Sequence, residues 1–175
     1  MKKGITAAAA AIVFVAGIGV GYGAKLRPAP AMYEGKTDKD AAKALLEVAL
    51  VQAGKGSWER IGVGRVYYLG GFKAEGQKIF DAVLAGKHED GDVYRIARVY
   101  LQAGEWEKAR VLFDQFLVRN PEEPKDLAEI GAYYYLHGDR AKAEQLFSKS
   151  FAVEGDEVWS TLSAAGAYLG VKPQL

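Results

Sequence analysis

A repeat of about 34 residues is the strongest pattern in this sequence. Small residues at 64, 97, 131 and 165 are spaced 33, 34 and 34 apart, and a tyrosine follows each of them three residues later. The full columns are Gly64, Ala97, Gly131 and Ala165; Tyr67, Tyr100, Tyr134 and Tyr168; Gly71, Gly104 and Gly138; Gly76, Ala109 and Ala143; and Phe80, Phe113 and Phe147. Five columns that share one period indicate a chain built from stacked repeat units.

The spacing within one period predicts two short helices joined by a glycine turn. The glycines at 71, 104 and 138 supply the positive φ with which many helices end, and the next helix can begin within a few residues. The paired small residues let the two helices of a hairpin come close together, while tyrosine and phenylalanine fill the space around them. One hairpin cannot bury its apolar face alone, so neighbouring hairpins are expected to stack into an all-α solenoid.

These columns resemble the tetratricopeptide repeat. The best copy carries Gly131, Tyr134, Gly138, Ala143 and Phe147, and the copy before it is closed by Pro121. The resemblance implies a right-handed α-solenoid of three hairpins over residues 57–89, 90–123 and 124–157. Half-repeats over 38–54 and 158–170 flank these hairpins within a repeat domain that spans 38–172. It further implies a concave groove, lined by the first helix of each hairpin, that binds a peptide or protein segment.

Helical spacing places a set of aromatic and cationic side chains on the inward face of these first helices. Such a surface suits a segment with apolar side chains and an acidic group, because Tyr and Trp provide contact area and Arg pairs with carboxylates. The alternative is that the tyrosines only fill space between helices. The expected groove residues are Trp58, Ile61, Arg65, Tyr68, Tyr94, Arg98, Leu101, Gln102, Lys125 and Tyr135, with Trp159 and Leu162 on the last helix.

The first 26 residues read as a membrane anchor or a signal peptide. Lys2 and Lys3 precede an uncharged, mostly apolar run from position 4 to 24, which would form a helix of about 31 Å, enough to cross a bilayer core of ~30 Å. A cleaved secretory signal shares this pattern. Residues 27–37, with two prolines, are expected to be a linker. The repeats are therefore expected in the bacterial cell envelope, facing the periplasm, either anchored to the inner membrane or exported.

The composition argues against several function classes. Lysine plus arginine (23) and aspartate plus glutamate (22) nearly cancel, so nucleic-acid binding is not expected. The chain has no cysteine and only two histidines, and no grouping of nucleophile, base and orienting residue stands out. His88 to Asp92 holds several metal-ligand types but lies between two predicted hairpins, where Asp is expected to cap a helix. No catalytic residue, metal or cofactor is predicted.

Two functions follow from these patterns. The first is a non-enzymatic scaffold or adaptor that binds an envelope protein or peptide in the concave groove. The second is a self-assembling structural protein, because the last helix from Val158 to Leu169 is uncharged and a terminal repeat normally presents a polar outer face. The first is the main hypothesis, with the N-terminal helix as the membrane contact if it is not cleaved.

Overall fold

A computed structural model describes residues 26–174, and helices account for most of this part of the chain. A 3-10 turn over Pro30–Met32 precedes the α-helices. These are α1 (Asp38–Ala53), α2 (Ser57–Leu69), α3 (Lys73–Ala85), α4 (Asp90–Gln102), α5 (Trp106–Arg119), α6 (Pro124–Leu136), α7 (Arg140–Val153) and α8 (Val158–Tyr168). No strand occurs within residues 26–174, so the predicted all-α class is confirmed for the described part.

Glycine turns divide the helices into hairpins at the predicted positions. Gly71, Gly104 and Gly138 have φ of 93°, 75° and 93°, which confirms that they end α2, α4 and α6. Each turn closes with the same Schellman-type bond, in which the amide after the glycine donates to a tyrosine carbonyl five residues earlier. These bonds are Phe72 to Tyr67, Glu105 to Tyr100 and Asp139 to Tyr134. The three turns therefore have the same backbone geometry.

Small residues bring the two helices of a hairpin into contact. A Cβ on Gly64 would stand 2.6 Å from the Phe80 ring, and one on Gly76 would stand 2.7 Å from the Gly64 carbonyl oxygen. In the third hairpin, a Cβ on Gly131 would stand 2.8 Å from the Phe147 ring. These distances are far inside van der Waals contact. The repeated small residues are thus a packing requirement of the hairpins.

The column tyrosines tie each hairpin to the second helix of the hairpin before it. Gln77 and the Tyr100 hydroxyl lie 2.7 Å apart. The Tyr134 hydroxyl donates to Asp114 at 2.5 Å, and the Tyr168 hydroxyl donates to Glu144 at 3.1 Å. These repeated bonds hold the hairpins in a stacked array, as expected for a helical solenoid.

The stack is closer on the side of the first helices. The backbones of α2 and α4, and of α6 and α8, approach each other, whereas α3, α5 and α7 do not approach one another in this way. A stack that is closer on one side curves toward that side. We call the face formed by α2, α4, α6 and α8 the inner face.

Bulky aromatic side chains separate the backbones of α4 and α6. The Phe113 ring lies 5.4 Å from Tyr94 and is stacked 5.5 Å from Tyr133. Trp106 lies edge-on to Tyr134 at 5.1 Å and stacks on the His137 ring at 4.3 Å. We call the Tyr94, Phe113 and Tyr133 cluster the central seam, because it joins the two halves of the stack through side chains.

The predicted membrane anchor or signal peptide lies almost wholly outside the described residues. In the part that the structure covers, none of the helices is both long and apolar enough to span a bilayer. The Leu26 carbonyl, directly before the predicted linker, accepts a hydrogen bond from the Gln52 side chain of α1 at 2.7 Å. Thr37 caps α1 by accepting from the Asp40 amide at 3.2 Å.

Candidate functional site

An open pocket lies between α2 and α4 on the inner face. Its volume is about 190 Å³, and we call it the arginine pocket. Residues spaced three or four apart on each helix form it, since such residues share one helical face. Its lining residues are Trp58, Ile61, Gly62, Arg65, Arg95, Arg98, Val99 and Gln102. Three guanidinium groups thus surround a floor of buried aliphatic side chains.

Trp58 and Arg95 form one wall of the arginine pocket. The Trp58 side chain is 64% exposed, and the Arg95 guanidinium carbon lies 4.0 Å from the centre of its ring. Arg95 also pairs with Asp92 at 3.4 Å. Asp92 is buried and accepts the Glu89 amide in a capping box at the start of α4, so acidic residues of this segment cap the helix as predicted, although the N-cap residue itself is Glu89 and not an Asp.

Arg65 and Arg98 also line the pocket. The Arg65 Nε donates to the Gln102 side chain at 2.8 Å, and within residues 26–174 no carboxylate lies within ion-pair distance of it. Arg98 lies 3.8 Å from Glu129 and donates to the Gln174 carbonyl at 2.8 Å. Three arginines therefore line the pocket, and two of them, Arg95 and Arg98, are paired with a carboxylate.

A second and larger cleft lies between α6 and α8. Its volume is about 600 Å³, and the chain after α8, Val171–Gln174, forms one of its sides. We call this segment the tail and the space beside it the tail cleft. Lys125 and Glu129 line the cleft from α6, while Trp159 and Leu162 line it from α8. Its charged lining residues are Lys125, Lys172 and Glu129, whereas those of the arginine pocket are three arginines.

Acidic groups on α6 lie between the two cavities. Burial, with Glu129 and Glu123 nearby, raises the pKa of Asp126 to about 6, although Arg98 acts in the opposite direction. Burial, with the charge of Glu129, also raises the pKa values of the Tyr94 and Tyr133 hydroxyls. Arg98 thus faces this half-buried acidic region beside the central seam.

The expected groove residues divide into three groups. Trp58, Ile61, Arg65, Arg98 and Gln102 come together in the arginine pocket, whereas Lys125, Trp159 and Leu162 line the tail cleft. Tyr68 and Tyr94 are buried in the core, and Leu101 and Tyr135 are partly buried against it. Arg95 was not among the expected residues, although its position three residues before Arg98 is the helical spacing that reveals a shared face.

The Tyr68 side chain is buried between helices and does not line the groove. Its hydroxyl donates to Glu105 at 2.5 Å and accepts from Lys108 at 2.9 Å, while Lys73 pairs with Glu105 at 2.6 Å. The Lys73, Tyr68 and Lys108 bonds lower the pKa of Glu105 to about 2. This cluster connects the first hairpin to the turn before α5.

Comparison with known families agrees with this architecture in its central hairpin. Residues 93–122 match the family model described as the tetratricopeptide repeat, which covers most of α4, all of α5 and the turn that follows. No curated protein matches the chain. The α4–α5 hairpin is therefore similar to a tetratricopeptide repeat, a unit that generally mediates protein–protein interaction, and the same turn geometry recurs in the hairpins on either side of it.

Proposed function

We propose that this protein is a non-enzymatic scaffold that binds an acidic, partly apolar segment of another protein in the arginine pocket. The observation that carries the proposal is the convergence of Arg65, Arg95 and Arg98 beside the exposed ring of Trp58. The tetratricopeptide-repeat match in the central hairpin supports a protein-binding role.

The chemistry of the arginine pocket fits a carboxylate beside an apolar group. A guanidinium can donate two parallel hydrogen bonds to one carboxylate, and such charge-assisted bonds are roughly twice as strong as neutral ones. Trp and Arg are also the residue types in which binding energy concentrates at protein interfaces. Ile61 and Val99 form the apolar floor beneath these groups. The partner segment therefore carries an Asp, Glu or terminal carboxylate next to an aliphatic or aromatic side chain.

Four of the ion pairs in the described part join different helices or their caps. Pairs such as Lys73–Glu105 and Arg119–Asp90 link different helices. Within residues 26–174, no three His, Asp or Glu side chains come together as a metal site requires. A binding role needs only the side chains that already line the arginine pocket. The small area of this surface fits a reversible interaction with an affinity of roughly micromolar or weaker.

The N-terminal segment supports a location for this scaffold in the bacterial cell envelope. A basic start followed by an uncharged run over positions 4–24 is typical of a membrane anchor or an export signal. We propose that it delivers the repeats to the periplasmic side of the inner membrane. Mass spectrometry of the native N-terminus distinguishes an anchor, which keeps Met1, from a cleaved signal.

Charge reversal in the arginine pocket tests the binding role. The partner is isolated by crosslinking to the full chain in membranes, and its purified form is then titrated against the Arg65→Glu/Arg98→Glu variant. We expect its affinity to fall by at least tenfold. The matched control is Lys78→Glu/Lys149→Glu, which reverses two exposed charges on α3 and α7, away from the inner face. Equal binding by both variants would show that the arginine pocket is not the binding surface.

Self-assembly through α8 is the second candidate function. Trp159 and Leu162 are each 54% exposed on α8, and Leu169 after it is 80% exposed. An apolar face of this kind at the end of a stack is a common place for a second chain to dock. Light scattering of the full chain and of Leu162→Ser/Leu169→Ser tests it. A dimer that is lost in the variant supports this function, and a monomer in both cases rules it out.

A further inference from the structure

The C-terminal tail crosses the inner face of the stack. After α8 the chain turns at Gly170, whose φ is 73°, and the Val171 amide donates to the Gly166 carbonyl at 2.8 Å. This is the same turn that leads into α3, α5 and α7. Here the described residues after the turn do not form a helix, and Pro173 lacks an amide donor. The tail instead passes α6 and ends against α4.

The contact of the tail with α4 is long-range in sequence. The Arg98 guanidinium donates to the Gln174 carbonyl at 2.8 Å across 76 positions of the chain. Lys172 and Pro173 line the tail cleft opposite Trp159 and Leu162. Lys172 lies close enough to the end of α6 that its charge helps lower the pKa of His137, after burial. The tail thus occupies space that a partner segment extended along the inner face would need.

We propose that Val171–Gln174 is an intramolecular occupant of the inner face that competes with the partner for Arg98. The inference rests on the proposed function, since it concerns the regulation of the same arginine pocket. The tail satisfies Arg98 with a neutral carbonyl, whereas a carboxylate is the stronger acceptor for a guanidinium. A partner that offers a carboxylate displaces the tail, while a neutral segment is excluded.

Weak contacts are sufficient for such competition. A tethered segment acts at an effective concentration in the millimolar range when its linker is short and flexible. A tail whose own dissociation constant is about a tenth of that value covers the site about 90% of the time. Apparent affinity for a competing segment is then reduced about tenfold, because only the uncovered fraction can bind.

The test uses the tail itself as the probe. A fluorescent peptide of sequence GVKPQL with an amidated C-terminus, which offers Arg98 only neutral acceptors, is titrated by anisotropy against the full chain and against the chain truncated after Gly170. We expect the truncated chain to bind the peptide at least tenfold more tightly than the full chain does. Arg98→Glu in the truncated chain should abolish binding, whereas Lys149→Glu on the outer helix α7 should not change it.

A second variant covers the case in which truncation unfolds α8. Val171→Gly/Pro173→Gly keeps the chain length but loosens the tail, and it should bind the peptide more tightly than the unaltered chain. Circular dichroism reports whether each variant remains helical. Equal peptide binding by full and loosened or truncated chains would overturn the proposal, as would a complete lack of binding to these variants.

Two further results separate the alternatives. A dimer that requires residues 171–175, seen by sedimentation velocity, would place the tail in the groove of a second copy and overturn the intramolecular assignment. Partner binding is measured separately with Arg65→Glu/Arg98→Glu. If that variant loses the partner while the tail peptide fails to bind, only the tail assignment is wrong and the proposed function stands.

Discussion

The two halves of the inner face share one repeat frame but differ in chemistry. Between α2 and α4, three arginines and an exposed tryptophan surround a small pocket that the tail reaches through Arg98. Between α6 and α8, a cleft about three times larger carries two lysines and a glutamate and is bounded by the tail of the chain itself. The buried residues of the repeat columns are alike in each copy because they hold the hairpins together. Exposed positions on the inner face are not needed for this packing, so their residue types differ between the two halves.

The two halves also differ in how their helices meet. The backbones of α6 and α8 approach each other closely, since the buried Ala164 and Ala167 present small side chains to α6. Between α4 and α6, the aromatic rings of the central seam hold the backbones apart. Phe113 lies at the centre of this seam, because its ring contacts both Tyr94 and Tyr133, while the Trp106 ring and the Tyr134–Asp114 bond join the halves at their edge.

The largest expected effect comes from breaking the central seam. Phe113→Ala removes a side chain with 0% exposure that touches Tyr94 on α4 and Tyr133 on α6. Truncating a buried Phe to Ala typically costs about 3–5 kcal/mol, through lost burial and the cavity left behind. Urea unfolding followed by circular dichroism should show this loss.

The control for the seam is Val118→Ala, which shortens an apolar side chain on the same helix that is 81% exposed. Its effect should stay within about 0.5 kcal/mol. If Phe113→Ala costs less than about 1 kcal/mol, the aromatic cluster does not join the two halves.

A smaller effect distinguishes the halves as binding surfaces. Trp58→Ala removes the ring on which Arg95 lies, and it should weaken binding of the purified partner by roughly 10-fold to 30-fold, about 1.4–2 kcal/mol. Trp159→Ala makes the same truncation in the tail cleft, where the ring is similarly exposed. It should change the affinity less than about threefold, as measured by calorimetry. The reverse order would move the binding surface to the α6–α8 half.

The repeat frame could be predicted from the sequence because backbone geometry forces it. Only glycine adopts the positive φ of Gly71, Gly104 and Gly138 readily, and only a small residue fits where Gly64 meets Phe80. These constraints recur in each repeat and require the same residue types at the same positions of each copy. The hairpins and the all-α class follow from them, and the structure confirms both.

The candidate site could be predicted less completely. Successive helical residues point about 100° apart, so a shift of one position moves a side chain from the inner face into the core. Tyr94 lies in the central seam, while its neighbour Arg95 lines the pocket. The bond from Arg98 to Gln174 joins residues 76 positions apart and leaves no local pattern in the sequence. Contacts of that kind depend on the path of the tail, which only the folded chain defines.

The smallest expected effect concerns the half-buried acidic region at the boundary between the two halves. The pKa of Asp126 is raised to about 6 in the folded chain by burial and by Glu129 and Glu123. Its folded pKa lies above the unfolded value of 3.8, so its stabilising contribution is complete below pH 3.8 and is lost as the pH rises through about 6. Asp126→Asn avoids this loss. At pH 7 we expect the variant to be more stable by about 0.5–1 kcal/mol after allowance for solvent screening and for the lost charge near the start of α6.

The measurement is urea unfolding of both proteins at pH 4 and pH 7. The gain from Asp126→Asn should be present at pH 7 and nearly absent at pH 4, where the native carboxyl already holds its proton. Asp156→Asn, which makes the same chemical change at an exposed turn position, serves as the matched control and should show no comparable gain at pH 7. A gain of equal size at both pH values would mean that the Asn side chain packs better for reasons unrelated to charge. A loss at pH 7 would show that the ionised carboxylate stabilises the boundary, most directly through Arg98, and that the two halves are joined by charge as well as by the aromatic seam.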